Sequence, residues 1–107
     1  MFEIFDYGGL SFEWDPRKAE AKLAKHGVAF EDAATSFADA HAIVVPYPRH
    51  SRIEERWHHL AISAAGQVML TGYTHRDPSI RIISARPATR RERHEYVQGQ
   101  RRRRRHP

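Results

Sequence analysis

The stretch at residues 80–96, IRIISARPATRRERHEY, constrains this chain more than any other. Ile80 and Ile82 call for a buried strand, yet Arg81 and Arg86 sit in the same run. Pro87 then stops the strand, and a strongly basic helix follows. A guanidinium cannot shed its proton to escape burial, so each arginine needs a carboxylate partner or a cleft that receives anions. Arg81 and Arg86 lie five residues apart, which puts them on opposite faces of a regular strand. Unless the strand bulges or ends before Arg86, one faces a cleft and the other is paired. With Ile80 and Ile82 marking the core face, Arg81 is assigned to the cleft. Arg86 is left at the strand end, within reach of Glu54 or Glu55.

The rest of the chain supplies the partners of that strand. Residues 12–14 give a short strand signal, and Asp15-Pro16 opens a helix with a good N-cap and a proline suited to the first turn. Gly27 supplies a left-handed stop after His26. Lys18, Lys22 and Lys25 fall on one face of this helix, and Ala19 and Leu23 on another. A second helix is expected over residues 31–38, burying Ala34 and Phe37. Its cap position, Ala29, carries no acceptor and costs about 1 kcal/mol relative to Ser or Asp. Strands are expected at 42–45, 56–64, 67–74 and 80–86, with a proline-bounded P-Y-P-R-H loop after the first and a tight Ala65-Gly66 turn between the second and third. Thr89 and Glu92 form a capping box for the last helix. The order β-α-α-β-β-β-β-α describes an α+β domain with two N-terminal helices, one C-terminal helix and a mostly antiparallel sheet of about four strands.

At 107 residues the chain has room for one core. It contains no cysteine, which removes disulfide frameworks and thiolate chemistry. Its apolar runs are too short to span a bilayer, and the acidic, aromatic start is unlike a signal peptide, so a cytoplasmic protein is expected. The net charge of +5 is unevenly placed. Residues 90–107 hold eight arginines against Glu92 and Glu95, so residues 1–89 carry ten Lys+Arg against eleven Asp+Glu. The high pI therefore belongs to the tail. Its five consecutive arginines repel one another and are expected to be disordered, either as a solvated tail or as a contact for nucleic acid or an acidic partner.

The pieces FEWDPRKAEAKLAKHGVAFEDA, HSRIEERWHHLAISAAGQV, YTHRD and IRIISARPATRRERHEY resemble, in order and spacing, the BrnT family of toxins. The resemblance covers residues 12–97, leaving 1–11 as an N-terminal extension and 98–107 as an Arg-rich tail. It implies a RelE-like fold and a ribonuclease toxin of a type II toxin–antitoxin system. It also implies a BrnA-type ribbon-helix-helix antitoxin as partner, with operator DNA bound through the antitoxin complex. A catalytically degenerate homologue that binds antitoxin or nucleic acid without cutting is the alternative.

RNA cleavage without a metal needs a base for the 2′-OH, an acid for the leaving 5′-oxygen, and cations to offset charge on the phosphorane. The candidates for catalysis are Arg81, Glu55, Tyr73, His75 and Lys25; those for RNA contact are Lys18, Lys22, Arg56, Arg86 and Arg91. Each has a plainer reading. The Glu54-Glu55-Arg56 triplet can be a solvated edge with a surface ion pair. Tyr73 can be a core-edge residue, His75 an exposed turn residue, and the lysine stripe a solvated helix face. His26 suits a helix C-terminus as a capping cation. His58 and His59 are adjacent and so face opposite sides of their strand, and no Cys or HExxH spacing supports a metal site. No metal and no cofactor are expected.

Overall fold

The computed structural model describes residues 1–47 and 54–105. Its elements are β1 (Glu3–Tyr7), β2 (Leu10–Trp14), α1 (Pro16–His26), α2 (Phe30–Thr35) with a 3-10 turn at Ser36–Ala38, β3 (Ile43–Pro46), β4 (Trp57–Ile62), β5 (Val68–Arg76), β6 (Ser79–Pro87) and α3 (Arg90–Arg105). The strands form one sheet in the order β1-β2-β6-β5-β4-β3. Every pairing is antiparallel except β2 with β6. The α+β class expected from sequence is found, but the sheet has six strands and not about four. The extra pairing comes from residues 1–11. Phe5 and Tyr7 alternate toward the core and pack against it, so the N-terminal segment joins the sheet as β1 and the start of β2. The loop expected after β3 lies partly outside the described residues.

Local chemistry sets the helix bounds. Asp15 accepts a hydrogen bond from the Arg17 N–H at 2.9 Å, and Gly27, at φ 70°, closes α1 with its N–H on the Leu23 carbonyl. Only glycine takes that left-handed turn without a Cβ penalty. The Ala29 cap of α2 makes no side-chain hydrogen bond; burial of Phe30, Ala33 and Ala34 holds the helix in its place. The capping box of α3 is formed, with the Glu92 N–H donating to Thr89 Oγ1 and the Thr89 N–H donating to Glu92 Oε1. The arginine run at 101–105, expected to be disordered, instead continues the α3 backbone to Arg105. Arginine is a good helix former, and cations suit a helix C-terminus.

Helices cover both faces of the sheet. On one side Phe12, Trp14, Val28, Phe30, Ala33, Ala34, Met69, Ile82 and Ala85 form the larger core. On the other, Leu60, Leu70, Ala88 and Tyr96 pack under α3 with Ile43 and Val68. Register decides where the two arginines of β6 go. Gly72 pairs with Ser84 but Tyr73 pairs with Ile82, so Ile83 is an extra residue opposite no partner, a β-bulge. Ile82 and Ala85 therefore share the larger core although they are three residues apart. By the same step Arg81, opposite Thr74, and Arg86, opposite Leu70, lie on the same face of the sheet. The bulge undoes the parity that would have separated them.

Candidate active site

Where β2 stops pairing, α1 takes over the edge of β6. β2 meets β6 only at Phe12–Ile80 and Glu13–Arg81; after Trp14 the chain turns at Asp15 into α1, which packs along the rest of β6. One face of α1 then overlooks the bulged half of the strand. Lys22, Lys25 and His26 line a cavity of about 400 Å³ together with Tyr47, His58, Leu70, Ser84, Ala85 and Arg86. Gly72 makes the floor possible: a Cβ there would lie 2.5 Å from Ser84 Oγ and 3.2 Å from Tyr47 Cε2. Tyr47 in turn leans on His58 with ring centroids 4.3 Å apart.

Among the described residues the lining holds three cations and two imidazoles and no carboxylate. Arg86 is steadied from outside it: Nη1 and Nη2 donate to Glu92 Oε1 and Oε2 at 2.8 and 3.0 Å. Hydrogen bonds from Arg86 pull the Glu92 pKa down to about 2, helped by those from Thr89 and against the effect of burial. The Arg86 pKa is raised by the same fork. Burial lowers the His58 pKa, with the Arg86 charge adding to it and Glu92 opposing. Desolvation also lowers that of His26, followed by the charges of Lys25, Lys22 and Arg86. Both rings are thus held neutral at pH 7, each with a nitrogen free of a proton.

The other residues singled out from sequence lie elsewhere. Arg81 donates from Nε and Nη2 to one oxygen of Glu13, at 3.0 and 2.7 Å, with the Phe2 ring 4.3 Å over its guanidinium. It belongs to a smaller hollow shared with Asp15, Lys18, Glu54 and Arg56. Glu54, and not Glu55, takes the ion pairs of this edge, with Arg76 at 2.5 Å and Arg56 at 3.7 Å. Glu55 is exposed, and its backbone carbonyl accepts from Thr74 Oγ1. Tyr73 is buried against Phe37, and burial raises its pKa. His75, exposed, meets the Tyr73 ring edge-on. Arg91 is exposed on α3 beside Glu95. So the expectation of one paired and one cleft-facing arginine is corrected: both are paired, Arg86 with Glu92 and not with Glu54 or Glu55. Of the sequence candidates, the cavity gathers Lys22, Lys25 and Arg86. It adds His26, His58 and Tyr47, which sequence reasoning had not placed in a site. His26 stands four residues after Lys22, so the lysine face of α1 already pointed to it.

The sequence model described as "Ribonuclease toxin, BrnT, of type II toxin-antitoxin system" matches residues 14–92. The chain belongs to the BrnT family of type II toxin–antitoxin ribonuclease toxins. Its structure is similar to the crystal structure of the Brucella abortus ribonuclease toxin BrnT, with a TM-score of 0.52 and 19% identity, covering 72% of this chain and 94% of that one. That likeness is one of fold. No curated protein matches the chain at a significant level.

Proposed function

We propose that this protein cleaves RNA without a metal ion and that the cavity between α1 and β6 is its active site. The observation that carries the reading is the lining itself: Lys22, Lys25 and Arg86 around two neutral imidazoles, with no carboxylate to repel a phosphodiester. His58 takes the proton of a 2′-OH, whose oxygen attacks the phosphorus as the bond to the 5′-oxygen breaks. Lys25 at the rim protonates that leaving oxygen, and Lys22 and Arg86 offset the charge on the phosphorane. The products are a 2′,3′-cyclic phosphate and a 5′-hydroxyl. Within a RelE-like reading of the fold, the cell-level outcome is inhibition of translation and growth in the cytoplasm. The partner is a BrnA-type ribbon-helix-helix antitoxin, through which the complex reaches operator DNA. An acidic or amphipathic antitoxin segment that folds over the cavity would silence it.

One observation favours a second reading, in which the chain binds antitoxin or nucleic acid without cutting: the outer nitrogens of Arg86 are already engaged by Glu92. Purified protein incubated with RNA and EDTA separates the two. Fragments with cyclic phosphate ends, and growth arrest on expression, are expected. Intact RNA at high protein excess, with normal growth and tight antitoxin binding, would establish the second reading.

A further inference from the structure

The family match ends at Glu92, but α3 runs on to Arg105. The helix is fixed to the body along one stripe. Glu92 is forked to Arg86, Tyr96 donates its O–H to Asp39 Oδ2, and a Cβ at Gly99 would lie 3.4 Å from Ile43 Cδ1. Asp39 also accepts from the Ile62 and His41 N–H groups, so this anchor ties α3 to the end of β4. These residues are spaced four and three apart, which is one face of a helix. At 100° per residue, the opposite arc holds Arg90, Arg91, His94, Val97, Gln98 and Arg101, with Arg102 at its border. All of these are exposed except the half-buried Gln98. No acid falls on that arc; Glu95 borders it and leans to Arg91.

A one-sided basic helix could face a membrane, a protein or a nucleic acid. A membrane helix needs large apolar residues beside the basic ones, and Val97 is the exposed large hydrophobic on α3. Every permanent cation of the helix is Arg and none is Lys, which suits repeated two-point contact with phosphate oxygens. The helix starts at the cavity, because Glu92 holds Arg86, and Arg102 lies about 15 Å further along the axis. An RNA whose scissile phosphate enters the cavity would therefore have its flanking backbone beside this arc.

Building on the ribonuclease reading of the cavity, we infer that the outer face of α3, from Arg90 to Arg102, is a second RNA site that grips the phosphate backbone next to the cleaved segment. Binding is read apart from cutting with a labelled RNA hairpin that is 2′-O-methylated and cannot be cleaved. The test variant replaces Arg91, Arg101 and Arg102 by glutamine, which keeps helix propensity and length. Its thermal midpoint should be unchanged, since the anchors at Glu92, Tyr96 and Gly99 remain. Affinity is expected to fall about tenfold near physiological salt, and the salt slope to flatten by about two to three. The same loss should appear in a Lys22→Ala/Lys25→Ala background. Unchanged affinity and slope would overturn the inference, and an equal loss on a DNA hairpin of the same sequence would overturn its assignment to RNA. If unmodified RNA stays intact with both chains while the binding difference persists, the cleavage reading alone has failed.

Discussion

The two ends of β6 carry the same motif in opposite electrostatic settings. Arg81 and Arg86 lie on one face of the sheet, each part-exposed and each held by a carboxylate. Carboxylates line the hollow at Arg81: Asp15 and Glu54 lie there with Lys18 and Arg56, and Glu13 pairs with Arg81, while Arg76 also takes Glu54. Among the described residues none lines the cavity at Arg86: Lys22, Lys25 and Arg86 share it with two neutral imidazoles, and Glu92 holds Arg86 from outside. An ion pair by itself therefore says little about function. Whether carboxylates share the hollow with the cations says more, because they repel a phosphodiester.

The sharpest way to break this comparison is to remove the two lysines of the cavity. Lys22→Ala with Lys25→Ala should lower the RNA cleavage rate by about 100-fold or more, the scale expected when donors aimed at developing charge are lost. Unfolding by denaturant should barely change, because Lys22 is half-buried and Lys25 exposed and neither packs in a core. Full cleavage by the double variant would move the chemistry out of this cavity.

The comparison also shows why the sequence could not place the two arginines on one face. Its helix starts, the Gly27 stop, the capping box at Thr89 and the hairpin at Gly66 depend on neighbouring residues, so they could be read locally. Parity along β6 depends on one unpaired residue, Ile83, and nothing in IRIISAR marks it. The bulge sits opposite Gly72, where Ser84 and Tyr47 close over a missing Cβ, and that is a property of three strands together. Glu92 could be read as a cap but not as the partner of Arg86, because the turn at Pro87 and Ala88 brings it back. Residues 1–11 lay outside the recognised motif, although Phe5 and Tyr7 already had strand alternation.

A smaller effect separates the two faces of β4. His58 lines the cavity, whereas His59 is 4% exposed, stacked on Phe37 at 4.0 Å with Ser36 Oγ 3.5 Å from Nδ1. Burial lowers the His59 pKa to about 4, with the Asp39 charge opposing it. The folded state thus keeps this ring neutral while the unfolded chain protonates near 6.5. Its contribution is complete above pH 6.5 and is lost as pH falls toward 4, a cost of about 2–3 kcal/mol by pH 4.5. His59→Phe keeps the stacking and removes the titration, so its stability should vary less between pH 7 and 4.5 in urea unfolding. A variant as acid-sensitive as the parent would place the titrating group elsewhere.

The smallest expected effect lies at the Arg81 end. Arg81 donates from Nε and Nη2 to a single oxygen of Glu13, and the pair is 30% and 19% exposed. Water therefore screens much of the attraction, and a double-mutant cycle of Arg81→Gln and Glu13→Gln should give a coupling of about 1 kcal/mol or less. Cleavage by Arg81→Gln should stay within about threefold of the parent, since its loss leaves the three cations of the cavity in place. The Phe2 ring over the guanidinium adds an apolar cover that a glutamine amide can share. A hundredfold loss of cleavage in Arg81→Gln at unchanged stability would reverse the assignment of the two ends. It would also mean that a carboxylate-paired arginine can do what Lys22 and Lys25 were credited with.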